Sequence, residues 1–182
     1  MIKYMENAER DAALRVADLM AAAARTAPKG SGKDKIITMI LTGEDKDKLA
    51  EHMRVIAKEM GEEFIDRDSY NVDASHCVVL IGVTSEPFGF PGCGLCGFDN
   101  CGAMMKAGTN CAFNITDLGI AIGSAVSVAA DHRIDNRVMY SAGKGAIRMG
   151  IFPEDVRVCY GIPLYTGAKS IFFDRGPGAV LL

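Results

Sequence analysis

Tryptophan is absent from this chain, and histidine occurs only three times in 182 residues. So little histidine leaves few ways to build an imidazole metal site. His52, His76 and His132 have no ligand-like spacing to one another and read as ordinary surface or packing residues. Of the three, His76 is the one whose strand leads toward a cysteine-rich segment, which suggests a supporting role there. G-x-x-x-x-G-K-[ST] does not occur, and the one G-x-G-x-x-G spacing, at Gly92, Gly94 and Gly97, interleaves with cysteines and is not read as a cradle for nucleotide phosphates. No Ser/His/Asp or Cys/His arrangement points to hydrolysis. The longest apolar run, LGIAIGSAVSVAA at 118–130, is shorter than a bilayer-spanning helix and predicts a buried one. The first twenty residues carry charge throughout and no small-residue cleavage site, which argues against a signal peptide. A net charge of −3 offers no positive surplus for nucleic acid or an acidic membrane. Together these absences predict a cytoplasmic protein whose partners include neither nucleic acid nor a membrane.

What is present is an ordinary globular composition, 49% hydrophobic and 24% charged, without internal repeats or low-complexity tracts. A chain of this length buries enough surface to fold without disulfides. It reads as a single domain over 1–182 with an inserted cysteine-rich loop at about 85–112. Residues 5–25 predict an alanine-rich helix, 27–35 a Pro/Gly loop with three lysines, and 36–41 a strand. Leu49, Met53, Ile56 and Met60 recur at helical spacing within an amphipathic helix over 45–60. CVVLIGVT at 77–84 is apolar throughout, as a strand covered on both faces would be. The run 114–131 predicts a helix capped at Asn114 or Thr116. Beyond it, 137–143 predicts a short strand turning into a helix at 144–149, and 153–165 a turn and a strand. The apolar tail AVLL predicts docking, on a partner chain among other places. With the apolar helix it argues for a homodimer.

FPGCGLCGFDNCG at 90–102 holds three cysteines, and a fourth follows at Cys111. The spacing is C-x2-C-x4-C-x9-C, through Cys93, Cys96, Cys101 and Cys111. Cytosolic thiols stay reduced, so such clustering favours metal or redox chemistry over disulfides. Four thiolates suit tetrahedral zinc or a 4Fe–4S cluster. The glycines around them favour the cluster, because a closely wrapped backbone can aim N–H groups at sulfur and tune its potential. Zinc remains the alternative metal, and metal-free redox or structural thiols a third reading. Cys77 and Cys159 lie within apolar strands and read as core.

CGLCGFDNCG behind a VVLIG strand resembles a prokaryotic family of uncharacterised proteins described as containing a ferredoxin domain. That resemblance implies a 4Fe–4S cluster on Cys93, Cys96, Cys101 and Cys111. The flanks AAARTAPKGSGKDKIITMILTGEDKDKLAEHM, DLGIAIGSAVSVAADHRIDN and MGIFPEDVRVCYGIPLY are similar to FMN-dependent nitroreductases. This second resemblance implies an α+β fold with a central, mostly antiparallel sheet flanked by helices, and an intertwined homodimer with FMN at its interface. The arginine-rich RRS segment of that family is missing, and the PS..N.QP loop reads PKGSGKD. Lys29, Ser31 and Lys33 are then the residues suited to a flavin phosphate, and weak or no FMN binding is expected. The combined expectation is an iron–sulfur redox protein, an electron carrier or reductase, working with a redox partner protein. The rival expectations are a non-enzymatic metal protein (zinc-stabilised domain, cluster carrier or sensor) and a flavin reductase with structural cysteines.

Overall fold

A computed structural model describes residues 2–173; the AVLL tail lies outside them. Four strands form an antiparallel sheet in the order β1-β2-β4-β3. They are β1 (Ile36–Leu41), β2 (Cys77–Thr84), β3 (Asp135–Asn136) and β4 (Val156–Tyr165). β2 is central, with Ile36 opposite Val83 on one side and Cys77 opposite Leu164 on the other. Its side chains alternate between two cores. Cys77, Val79, Ile81 and Val83 face α1 (Met5–Thr26) and α5 (Ala112–Asp131). Val78 and Leu80 face the opposite core, built with α2 (Gly43–Met60), α3 (Glu63–Ala74) and α6 (Tyr140–Arg148). Burial on both faces is the physical reason this strand is apolar at every position up to Val83.

α2 forms as its periodicity predicts, and α5 as its apolar run predicts. Leu49, Met53 and Ile56 of α2 are buried, each worth about 1.5–3 kcal/mol of hydrophobic stabilisation, whereas Met60 at the helix end is exposed. Gly61 ends α2 in the left-handed conformation that favours glycine. α5 buries Leu118, Ala121, Ala125 and Ala129 against the sheet and α1. It starts at Ala112 with Cys111 as its N-cap residue, three residues before the expected Asn114 cap. Among the described residues it is the one helix long and apolar enough to cross a membrane by length and composition, beyond the shorter run read from the sequence. In this fold one of its faces packs into the core, while Ile115, Gly119, Ile120 and Gly123 are exposed on another.

One segment differs from expectation, and one helix goes unread in the sequence. Residues 137–143 do not form a strand: Met139 makes a single bridge to Gly161, and α6 already begins at Tyr140. The reason is close packing of small residues onto β4. A Cβ at Gly143 would lie 1.8 Å from the Cys159 carbonyl oxygen, so this helix position admits glycine alone. The unread helix is α3, which the sequence hides because Asp68 and Ser69 are buried on it beside Ile65 and Val72. Asp68 accepts hydrogen bonds from Ser141 at 2.6 Å and from Arg67 at 2.9 Å, which makes its burial tolerable.

Candidate metal centre

The cysteine segment leaves the end of β2 and returns through α4 (Cys101–Lys106) to the start of α5. Its first stem is held firmly. Lys35 Nζ donates to the Glu86 and Pro87 carbonyls at 2.7 and 2.9 Å. Asn114 Nδ2 donates to the Thr84 and Glu86 carbonyls at 3.1 and 2.6 Å. Ser85 N–H donates to the Asp155 carbonyl at 2.7 Å. Beyond the stem the backbone turns on glycine: Gly89, Gly92, Gly94 and Gly97 all have φ between 60° and 81°. Side chains rarely adopt that region, so the wrap depends on glycine. Asn100 caps α4, accepting from Ala103 N–H at 2.9 Å.

The wrapped segment encloses a cavity of about 300 Å³. Cys93, Cys96, Cys101 and Cys111 all line it, although they span 93–111 in the chain. All four are free thiols; the first three are half-buried and Cys111 is buried. Phe88 and Phe113, stacked at 4.8 Å, form an apolar wall, and Met104 closes the interior. Among the described residues no three His, Cys, Asp or Glu side chains converge closely enough to share one ion. The four thiols line the cavity together. The N-terminal end of α5, where Cys111 sits, is favourable to negative charge. A set of four thiols around a glycine-lined, largely apolar cavity fits a sulfur-ligated metal group.

The other two cysteines have a different environment. Burial pushes the Cys77 thiol up to about 12, with the nearby Asp18 charge adding to it. Burial likewise pushes Cys159 up to about 12, despite a backbone hydrogen bond at Ile81. Both stay protonated and packed, in the two different cores. His76 does not approach the cysteine cavity. It precedes β2, at the opposite end of a strand roughly 25 Å long, and stacks on Tyr165 at 5.3 Å. His52 is half-exposed on α2, and His132 is the exposed C-cap of α5.

Of the three residues suited to a flavin phosphate, Lys29 has its Nζ on the carbonyls of Ala24, Arg25 and Ala27 at 2.8, 2.6 and 2.9 Å. Its side chain is 4% exposed and serves to close the C-terminus of α1. Ser31 has a positive φ of 49° in a short 3-10 turn, and Lys33 Nζ lies 5.5 Å from the centre of the Phe88 ring. Sequence reasoning missed Lys35, Phe88, Phe113, Asn114 and Asp117 as parts of this site. The available signal was the pair of polar residues Asn114 and Asp117 in the opening turns of an otherwise apolar helix.

Residues 107–175 match the profile of a family described as an uncharacterized protein containing a ferredoxin domain. An uncharacterized protein of Archaeoglobus fulgidus is 41% identical over 167 residues, covering 87% of this chain and 89% of the relative. The chain belongs to this family. The profile match takes in Cys111 and begins after Cys93, Cys96 and Cys101. Solved structures show the fold. A nitroreductase with bound FMN from Desulfitobacterium hafniense superposes with a TM-score of 0.58 at 12% identity, over 93% of this chain and 81% of that one. A Lactococcus lactis nitroreductase in complex with nicotinic acid gives 0.58 at 14% identity, over 99% and 85%. A protein described as a putative NADH dehydrogenase/NAD(P)H nitroreductase from Bacteroides thetaiotaomicron gives 0.57 at 12% identity, over 86% and 75%. The family's fold is thus nitroreductase-like, an antiparallel sheet flanked by helices, as the flanking sequences implied.

Proposed function

We propose that this chain is an iron–sulfur redox protein in which Cys93, Cys96, Cys101 and Cys111 hold one 4Fe–4S cluster on the nitroreductase-like scaffold. The observation that carries this reading is that four free thiols, separated along 93–111 of the chain, line one cavity of about 300 Å³. The glycine wrap at Gly89, Gly92, Gly94 and Gly97, which can bring backbone N–H groups close to sulfur, favours a cluster over zinc. When bound, the cluster supplies one-electron transfer. The chain's own part is to hold the ligands and keep the cavity apolar. Phe88, Phe113 and Met104 limit water, Lys35 and Asn114 fix the stem, and the opening of α5 favours the cluster's negative charge. Electrons exchange with a redox partner protein in the cytoplasm.

Protein purified without oxygen should contain about four irons and four acid-labile sulfides per chain, with visible absorbance that bleaches on reduction. Stoichiometric zinc without iron under those conditions would overturn the reading.

The assembly proposed is a homodimer. On α5, Ile115 and Ile120 are 37% and 41% exposed, with Gly119 and Gly123 exposed beside them. Such a flat apolar face suits close contact with a second copy. Light scattering at micromolar concentration should return twice the 19.4 kDa chain mass; a strictly monomeric mass contradicts the proposal.

A further inference from the structure

We infer that the loop around Gly30 is a brace for the cysteine cavity rather than a seat for a flavin phosphate, and that the anion it binds is the chain's own Asp117. Asp117 is 8% exposed, and its two carboxylate oxygens accept from Gly30 N–H at 3.2 and 3.1 Å. A main-chain N–H on a glycine-rich loop is the kind of donor a phosphate uses. Here it already faces a buried negative group, beside which a phosphate would meet like-charge repulsion. Lys29, the cation next to it in sequence, has its ammonium on three carbonyls of α1's C-terminus. Lys33 lies over the Phe88 ring.

The same loop makes a contact of a different kind with the cavity wall. A Cβ built on Gly30 would lie 2.6 Å from Phe88 Cε2 and 3.1 Å from Cζ. Gly30 has no positive φ, so this contact, rather than backbone conformation, is what a side chain there would disturb. Phe88 in turn stacks on Phe113 and lines the cavity with it. The connection therefore runs from Asp117 to Gly30, from Gly30 to Phe88, and from Phe88 to the cysteines. Asn114, one turn before Asp117 on α5, holds the same stem through Thr84 and Glu86. The first two turns of α5 grip the cysteine segment twice, once directly and once through the Gly30 loop.

The test uses the full-length protein without metal, so that it does not depend on the cluster reading. Hydrogen exchange over 86–92 and maleimide labelling of Cys93 and Cys96 are compared in wild type, Gly30→Ala, Phe88→Leu, the double variant and Asp117→Asn. Gly30→Ala should speed exchange and labelling by about ten-fold. Its effect should largely vanish in the Phe88→Leu background, because the two changes act on one contact. Asp117→Asn, which keeps the shape but weakens the bond to Gly30, should move both readouts in the same direction by a smaller factor. Unchanged exchange over 86–92 in both Gly30→Ala and Asp117→Asn, with native circular dichroism, would overturn the brace. Stoichiometric FMN binding by the wild type that protects 28–34 from exchange would also overturn it. Iron-free protein in which the variants still loosen 86–92 supports the brace while removing the cluster proposal. Iron-loaded protein with unmoved exchange does the reverse.

Discussion

Cys77 and Cys93 carry the same side chain and lie on the same excursion of the chain, one at the start of the central strand and the other on the segment that leaves its end. Cys77 is fully buried among the side chains packed by α1 and α5, where a thiolate would be desolvated, and its proton is held up to about 12. Cys93 is half-buried on a glycine wrap and faces a cavity shared with three further thiols. Cys159 repeats the first situation, and Cys96 and Cys101 repeat the second. The difference shows that burial by regular packing makes cysteine a small hydrophobe, whereas an irregular wrap leaves its thiol facing a shared cavity.

The sharpest way to break this comparison is to replace the cavity thiols. Cys93→Ser, Cys96→Ser and Cys101→Ser should each lose most of the iron from anaerobically prepared protein while circular dichroism stays native, because these residues lie outside both cores. Cys111→Ser tests the thiol that belongs partly to each class, being buried yet on the cavity. It should lose iron as fully as the others, and a complete iron complement in this variant would show that the fourth ligand lies elsewhere.

A smaller effect concerns alkaline pH. The sheet thiols are raised in the folded state from 9.0 to about 12, so the unfolded chain releases protons there that the folded chain retains. Their contribution to stability is whole below pH 9 and is lost as pH rises toward about 12. Denaturant midpoints measured across that window should fall with pH, and Cys77→Ala with Cys159→Ala should flatten the fall. At neutral pH each of these alanine substitutions should keep full iron and cost on the order of 1 kcal/mol in chemical denaturation.

Much of this fold is legible in the sequence, and the illegible parts have physical causes. The central strand and α2 declare themselves because burial on two faces or on one stripe leaves a simple periodic record. α3 does not, because Asp68 is buried with Ser141 of α6 as its partner, and nothing local to 63–74 announces it. The start of α6 is hidden by Ser141, Ala142 and Gly143, which are chosen for a flush fit to β4 and carry no strong hydrophobic signal. In the site, Cys93, Cys96 and Cys101 are legible from spacing alone. Cys111 is set apart by a long gap in the spacing, which α4 takes up. Lys29 reads as a loop lysine suited to a phosphate until the fold shows its ammonium turned back onto α1. Asn114 and Asp117 are the clearest loss, since their partners lie far away in the chain and only folding brings them together.

The bond between Gly30 and Asp117 joins residues 87 positions apart, and it sets an order of events during synthesis. A ribosome delivers the Gly30 loop first, then the central strand, then the cysteines, and only afterwards the helix that secures them all. Until Asp117 has emerged and α5 has docked, Cys93, Cys96 and Cys101 travel on an unbraced glycine chain, open to oxidants and stray metal. Long-range closure of this kind is slow compared with local helix formation. The cavity is consequently among the last parts of the protein to mature, and its thiols need a reducing surrounding for as long as that takes.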